Sequence, residues 1–218
     1  MHSPCSMRPA HGGKCTLILE FGGLCAPAGK HGAMSYGWLI RRSALAIDSG
    51  WACLPAGHGN SSCLAEYLGL IEGLQAVIQL REPGERLTVR SDARLVIKQV
   101  AGVWLGVSPG LWRGYRQARE LVRRLFPVTF VLVAHEHNAA ADALARAAYH
   151  DVLEAERRSR AGEVRLERLG DTRYRANGKY DLDSATGACT CPDYLNLCRR
   201  FHARCKHLFA LEGHTLDE

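Results

Sequence analysis

The sequence predicts an α/β domain built on a mixed sheet flanked by helices, followed by a small hairpin-rich module. Three β-rich runs follow one another near the start of the chain, and helix-periodic segments then alternate with further strands. Neighbouring strands tend to pair antiparallel, whereas strands separated by a helix tend to pair parallel. Four of the nine cysteines fall in the last thirty residues, which favours a separate metal-binding module there.

The elements of the first domain follow from residue periodicity. Apolar residues recur every three or four positions in "SSCLAEYLGLIEGLQAVIQL", which predicts an amphipathic helix capped by Ser61 or Ser62. Ser108 and Pro109 favour the start of another helix. Predicted strands cover 14–21, 35–43, 44–54, 86–92 and 128–135, and predicted helices cover 61–80, 93–102, 108–126 and 138–160.

The domain boundaries follow from changes in composition. Residues 1–13 lack an apolar segment, and we expect a disordered tail followed by the α/β domain at 14–150. A charged, helix-forming stretch at 151–163 is interpreted as a linker to the module at 164–218. Asn177 and Gly178 form a dipeptide typical of a hairpin turn within that module.

The basic excess lies wholly in the first part of the chain. Residues 1–150 contain 16 Lys or Arg against 10 Asp or Glu, whereas residues 151–218 contain 12 against 12. This imbalance fits a polyanionic partner such as nucleic acid, although charge alone explains solubility equally well. No apolar run of about 20 residues is evident, so we expect no membrane partner.

The number of cysteines indicates the redox state of the cellular compartment. Nine cysteines cannot all pair, and the N-terminus has no secretory signal. We therefore expect a reducing, cytoplasmic environment without a disulfide framework.

Three carboxylates occupy positions that suit a metal site. Glu66 lies early on a helix, Asp92 ends a strand, and Asp142 begins the last helix. Singly, each has an ordinary structural explanation, such as capping a helix. Together with "LAEYLGLIEGL", "VRSDARLVIKQVAG" and "HNAAADALARAA", they make residues 15–150 resemble ribonuclease H type 1 and its reverse-transcriptase-associated relatives.

The resemblance implies a five-stranded mixed sheet and a carboxylate cluster that holds two Mg²⁺ or Mn²⁺ ions. These ions would clamp the attacking and leaving oxygens of a phosphodiester. Glu66, Asp92 and Asp142 would be three of the usual four catalytic carboxylates. The implied substrate is the RNA strand of an RNA–DNA hybrid, or of another RNA-containing duplex, recognised through its shape and 2′-hydroxyls.

The fourth carboxylate is missing. "LEFGGLCAP" has Gly22 where the family pattern has an aspartate, at the end of a strand running into a glycine-rich turn. Glu20 points to the same strand face but lies about 6.6 Å away, which makes it a poor substitute unless the strand bulges. We therefore expect weak metal binding and a large loss of rate.

Other positions are assigned by the same resemblance. His135 matches a mobile residue that assists product release in the family, although His135 and His137 are equally explained as exposed loop histidines. Ser61 and Ser62 replace polar residues that contact the nucleic-acid strand.

The C-terminal module contains a zinc-ligand pattern. Cys189-x-Cys191 and Cys205-x-His207 supply three thiolates and one imidazole, a set typical of a closed structural Zn²⁺ site. "CTCPDY" and "CKHLFAL" make this region resemble a SWIM-type zinc finger, which implies binding of nucleic acid or protein. Cys198 or His202 could replace one of these four ligands. Arg199 and Arg200 are candidate phosphate contacts.

Three functions fit these patterns. The first is a ribonuclease H-like, nucleic-acid-processing enzyme with a zinc module. The second is a nucleic-acid-binding protein that keeps the fold without the chemistry. The third is an adaptor that binds a protein partner through its zinc module. Gly22 separates the first two, because catalysis is far more sensitive to it than folding is.

Overall fold

A computed structural model describes residues 16–26 and 31–216, so the predicted tail at 1–13 lies outside the described residues. Five strands form the first sheet in the order β3-β2-β1-β4-β5. β1 pairs antiparallel with β2, and β2 with β3, whereas β1–β4 and β4–β5 are parallel. The mixed sheet is thereby confirmed. Its strands are β1 (Thr16–Ala26), β2 (Ala33–Arg42), β3 (Leu45–Leu54), β4 (Arg86–Ser91) and β5 (Val128–Leu132).

Helices cover both faces of this sheet. They are α1 (Ser62–Leu80), α2 (Arg94–Val100), α3 (Trp112–Leu125) and α4 (Ala139–Ser159). Leu17, Leu19 and Phe21 of β1 are fully buried against α1, α2 and α3. The alternate residues of β1 face α4, since successive strand side chains point to opposite faces.

Helix α1 is the centre of the core. Ser61 caps it, because the Ser61 hydroxyl accepts a hydrogen bond of 3.2 Å from the Leu64 N–H. Among the described residues, α1 is the one helix whose length and composition would also allow a membrane crossing, contrary to the expectation from the sequence. Leu70, Leu74 and Val77 are fully buried, so this apolar character is explained by the protein core.

The glycine-rich turn expected at residues 22–23 is instead a continuous strand. Parallel pairing of β1 with β4 ends at Glu20, but antiparallel pairing with β2 continues to Ala26. Gly22 and Gly23 are therefore strand residues. A Cβ on Gly23 would lie 2.5 Å from the Glu66 nitrogen, so glycine is required for the close approach of α1.

The C-terminal module is a four-stranded antiparallel sheet with two helices. The sheet order is β6-β7-β8-β9. Asn177 and Gly178 have φ of 53° and 66° at the predicted hairpin turn. The elements are β6 (Leu166–Arg168), β7 (Arg173–Ala176), β8 (Tyr180–Asp183), β9 (Ala188–Cys189), α5 (Pro192–Asn196) and α6 (Lys206–Leu216).

Helix α4 joins the module to the first domain. It continues to Ser159 and so covers most of the predicted linker at 151–163. Tyr149 and Leu153 of α4 and Ala26 of β1 are buried in the same cluster as the module's apolar side chains. Arg204 also donates to both carboxylate oxygens of Glu154, at 3.0 and 3.1 Å.

Candidate nucleic-acid site and zinc centre

The three predicted carboxylates gather around Gly22. A Cβ on Gly22 would lie 3.5 Å from the Asp142 nitrogen at the start of α4. The backbone nitrogen of Glu66, in the first turns of α1, lies beside Gly23. Asp92 follows Ser91, whose hydroxyl donates a 2.7 Å hydrogen bond to the Phe21 carbonyl. The end of β4 and the starts of α1 and α4, which are distant in sequence, therefore meet where the pairing between β1 and β4 ends.

Glu66 is half-buried beside a second carboxylate. Burial and, as the smaller cause, the negative charge of Asp92 together raise the pKa of Glu66 to about 7. Both causes disfavour the ionised form, because it loses hydration and faces a like charge. Glu66 therefore exchanges protons near neutral pH.

Asp92 is fully engaged by neighbouring side chains. His135 Nδ1 lies 2.6 Å from Asp92 Oδ2, and Asn138 Nδ2 donates to Asp92 Oδ1 at 2.6 Å. The hydrogen bond to Asp92, followed by the charges of Asp92 and Asp142, raises the pKa of His135. His135 is exposed, and its Nε2 lies 4.0 Å from Asp142 Oδ2. The imidazole thus bridges two of the predicted metal ligands.

The residues present do not fit the two-ion site that the resemblance implies. Asp142 Oδ2 accepts a 2.6 Å hydrogen bond from Arg146 Nε, and His135 Nε2 lies 4.0 Å from the same oxygen. Gly22 contributes no carboxylate between Asp92 and Asp142. Two dications need more anionic oxygen ligands than this arrangement offers.

The space for the missing side chain is nevertheless open. The atoms nearest to a Cβ on Gly22 lie 3.5–3.6 Å away, in ordinary contact, and include Asn138 Nδ2. Gly22 is absent from the positive-φ residues, so its backbone suits an L-amino acid. A side chain at residue 22 would therefore fit this cradle without a clash or a strained backbone.

Glu20 does not replace the missing carboxylate in this structure. It is only 2% exposed and forms ion pairs with Arg41 of β2, at 3.0 Å, and with Arg90 of β4. These pairs join three adjacent strands and hold both oxygens of Glu20 below the site.

Asn138 is a site residue that the sequence analysis missed. It is 1% exposed, and its Nδ2 also donates to the Phe21 carbonyl at 2.9 Å. Among the described residues, Asn138 Oδ1 is the buried side-chain atom without a hydrogen-bond partner. Its position four residues before Asp142 was the available signal, since one helical turn places both residues on the same side of the site.

A basic and aromatic surface lies beyond Asp92 and was also missed. Lys98 Nζ and the Arg94 guanidinium lie 4.8 and 5.8 Å from the centre of the Trp104 ring. The loop carrying Trp104 is tied to the site, because Gln99 accepts from the Tyr67 hydroxyl at 2.7 Å and donates to the Gly106 carbonyl. Cations stacked on an aromatic ring are typical of nucleic-acid-binding surfaces.

The remaining predicted contacts are less specific. The Ser61 hydroxyl is used as the α1 cap, whereas Ser62 is exposed. Arg199 and Arg200 are exposed on the module, and the Arg200 guanidinium lies 5.7 Å from the Phe201 ring.

Comparison with known proteins identifies this domain. Residues 25–148 match the reverse transcriptase-like family, a span that covers more than half of the chain. The chain belongs to the reverse transcriptase-like family. It contains an RNase H-like domain, in agreement with the five-stranded sheet and the gathered carboxylates.

Curated relatives cover the same part of the chain. "Bifunctional protein Rv2228c" of Mycobacterium tuberculosis and "Uncharacterized protein Mb2253c" of Mycobacterium bovis are each 30% identical over 139 residues. The match spans 62% of this chain but only 35% of each relative.

Solved structures give the same fold. The N-terminal RNase H domain of Rv2228c superposes with a TM-score of 0.58 at 24% identity, covering 66% of this chain and 99% of that one. RNase H1 of Halobacterium salinarum gives 0.53 at 27% identity, covering 64% and 99%. LC11-RNase H1, solved with an RNA/DNA hybrid, gives 0.57 at 22% identity, covering 63% and 99%.

The module that follows the RNase H-like domain contains a buried Cys₃His cluster. The ligand atoms of Cys189, Cys191, Cys205 and His207 all lie within 4.8 Å of one another. His207 Nδ1 lies 3.7 Å from Cys189 Sγ and 3.9 Å from Cys205 Sγ. A tetrahedral Zn²⁺ separates its sulfur and nitrogen ligands by about 3.5 Å, so this donor set fits zinc.

The surroundings of the cluster favour a thiolate on Cys191. Hydrogen bonds from Cys189 and Cys205 lower the pKa of Cys191, whereas the hydrogen bond with Cys191 raises the pKa of Cys189. The Tyr194 N–H also donates to Cys191 Sγ at 3.3 Å. Donors of this kind orient zinc ligands and stabilise their negative charge.

The structure distinguishes the alternative ligands. Cys198 is fully buried outside the cluster, its Sγ lies 3.6 Å from Asp193 Oδ2, and burial raises its pKa to about 12. His202 is exposed. The geometry therefore favours the set Cys189, Cys191, Cys205 and His207 without either substitution.

Proposed function

We propose that this chain binds RNA-containing duplexes, RNA–DNA hybrids above all, and cleaves them very slowly or not at all. The observation that carries the proposal is the open, empty cradle at Gly22 in an otherwise RNase H-like arrangement. The fold and the binding surface tolerate this change, whereas two-metal hydrolysis does not.

Charge and surface chemistry support binding. The excess of six basic residues lies before residue 151. Arg94 and Lys98 lie over the Trp104 ring in the segment that follows Asp92, where they would meet the phosphates and sugars of a bound strand. LC11-RNase H1, which shares the fold, was solved in complex with an RNA/DNA hybrid. Recognition of the RNA strand would rest on its 2′-hydroxyls and on duplex shape.

The contacts of the remaining carboxylates support weak hydrolysis. Asp92 is held by His135 and Asn138, and Asp142 is held by Arg146. A divalent ion would have to displace these partners without gaining a bridging aspartate. His135, which matches a residue that assists product release in the family, here contacts both Asp92 and Asp142.

We further propose that the SWIM-like module holds one structural Zn²⁺ in a reducing, cytoplasmic setting. All four ligand positions are filled by protein side chains, which leaves no coordination position for substrate. The exposed Arg199 and Arg200 suit a nucleic-acid contact. An adaptor function through a protein partner is the alternative.

A binding and cleavage experiment tests the main proposal. The 218-residue chain is titrated against labelled RNA–DNA hybrid and double-stranded DNA at about 50 and 200 mM salt, and cleavage is followed with Mg²⁺ and with Mn²⁺. We expect preferential, salt-sensitive hybrid binding with little cleavage. Arg94→Ala should weaken binding, whereas Arg165→Ala, an exposed change on the module, should not. Salt-independent binding, or rapid cleavage, would contradict the proposal.

A further inference from the structure

Helix α3 has an exposed stripe of arginine and aromatic residues outside the carboxylate site. Trp112, Arg116, Arg119, Arg123 and Phe126 follow one another at steps of four and three residues. This spacing places them on one helix face, and we call this set the α3 stripe. All five line an open cleft of ≈ 900 Å³, and Trp112 and Phe126 are 50% and 78% exposed.

The α3 stripe is strongly basic. Residues 112–126 contain five arginines and one acidic residue, Glu120. Arg119 is held by a 2.8 Å hydrogen bond to the Val100 carbonyl, and Arg123 pairs with Glu120. Arg116 is exposed and has no ion pair with another residue of the described chain. The stripe therefore presents positioned cationic groups to a polyanion.

The aromatic ends favour single-stranded nucleic acid among polyanions. Trp112 and Tyr115 form a tilted ring pair with centroids 5.6 Å apart, and Phe126 is exposed at the other end. Bases of a single strand can stack on such rings, whereas duplex bases are already stacked on one another. An acidic peptide would form ion pairs with the arginines, but it would not supply a planar ring at each residue to stack on the aromatic side chains.

The length of the stripe sets the length of the strand. Trp112 and Phe126 are 14 residues apart, or ~21 Å along the helix axis. This is the length of about six stacked nucleotides at ~3.4 Å each. Arginines between the two aromatic ends would meet the intervening phosphates.

The N-terminal end of α3, which carries Trp112, packs against the turn of α1 that contains Glu66 and Tyr67. A Cβ on Gly114 would lie 3.2 Å from Tyr67 Cβ, and Tyr67 follows Glu66 on α1. A strand that leaves the site past this turn of α1 would therefore reach Trp112 first.

We propose that the α3 stripe binds the single-stranded flank of a hybrid whose duplex part lies at the carboxylate site. The link to the duplex rests on the proposed function, whereas binding of the single strand by α3 does not.

The experiment uses the full chain and fluorescence anisotropy with three probes: a blunt RNA–DNA hybrid, the same hybrid with a six-nucleotide tail, and a six-nucleotide single strand. Binding is compared for wild type, Trp112→Ala, Arg116→Glu and the matched charge reversal Arg165→Glu on the module. Circular dichroism melting checks that each variant folds.

We expect the tail to tighten hybrid binding by roughly tenfold, in line with stacking of a single base. Trp112→Ala and Arg116→Glu should remove this gain and leave blunt-hybrid affinity near wild type, while Arg165→Glu should retain it. If blunt hybrid fails to bind but the single strand binds through Arg116, the proposed duplex function fails and the assignment of α3 stands.

Other outcomes would overturn the assignment. These are equal affinity for blunt and tailed hybrid in wild type, loss of the gain in Arg165→Glu as well, or equally tight binding of a polyglutamate peptide. The last result would identify the α3 stripe as a surface for acidic proteins.

Discussion

Restoring the carboxylate at residue 22 is the sharpest test of how this site differs from an active ribonuclease H. Gly22→Asp places the new Cβ 3.5–3.6 Å from its neighbours, at an unstrained φ, so we expect the variant to fold. Gly22→Asn is the matched control, because it has nearly the same shape without the charge.

The energetic cost can be approximated from the surroundings. Two carboxylates about 6 Å apart repel by roughly 3 kcal/mol at an effective dielectric constant of about 20. The positive end of α4 offsets about 1 kcal/mol, whereas both protons of Asn138 Nδ2 are already donated to the Phe21 carbonyl and to Asp92. The net loss of about 2 kcal/mol should lower the melting temperature of Gly22→Asp by about 4–8 °C in EDTA.

Divalent ions should reverse this loss. Mg²⁺ or Mn²⁺ should raise the melting temperature of Gly22→Asp but leave wild type and Gly22→Asn nearly unchanged. Hybrid cleavage should increase by roughly 10²- to 10³-fold over wild type, the effect typical of one electrostatic group in an active site. Metal-independent melting of Gly22→Asp, or cleavage by wild type that Glu20→Gln abolishes, would refute the reasoning.

Three further changes test other parts of the structure. Cys205→Ser should abolish the one zinc per chain measured by elemental analysis, whereas Cys198→Ser should retain it; zinc in both variants would contradict the ligand set. Glu66 has a folded-state pKa of about 7, above its unfolded value. Its contribution to the free energy of unfolding is therefore greatest below about pH 4.5 and is lost as pH rises to about 7. Denaturant titrations should show this loss, about 2 kcal/mol after allowing for partial exposure, and Glu66→Gln should remove it. The hydrogen bond from Arg204 lowers the pKa of Glu154, so the pair stabilises the folded state at pH values above the unfolded pKa of Glu154, and this stabilisation is lost as pH falls. Glu154→Gln should lower the free energy of unfolding by about 1 kcal/mol at neutral pH, measured by urea unfolding. An unchanged unfolding midpoint would refute the role of the pair.

The sequence was sufficient for the element order and for the candidate ligands. Strong periodicity placed α1 within one residue of its observed start, because its apolar face and Ser61 cap are local features. The C-x-C and C-x-H pairs likewise predicted a cluster that the fold brings together. Their spacing is local, and a small module needs such a site for stability.

The extent of β1 was not predictable in the same way. Glycines at residues 22 and 23 indicate a turn when read locally. Pairing with β2 overrides that preference, and residue 23 must be glycine because a Cβ there would lie 2.5 Å from the Glu66 nitrogen of α1. Local propensity is weak compared with tertiary packing at such a position.

The chemical groups of the candidate sites could be identified from the amino-acid sequence alone: three carboxylates, no aspartate at residue 22, and a Cys₃His set. The partners that these groups contact depend on the fold. It bound Glu20 between Arg41 and Arg90, and it placed His135 against Asp92. Such partners lie on different strands and helices, so their contacts depend on the packing of the whole sheet and cannot be deduced from sequence spacing.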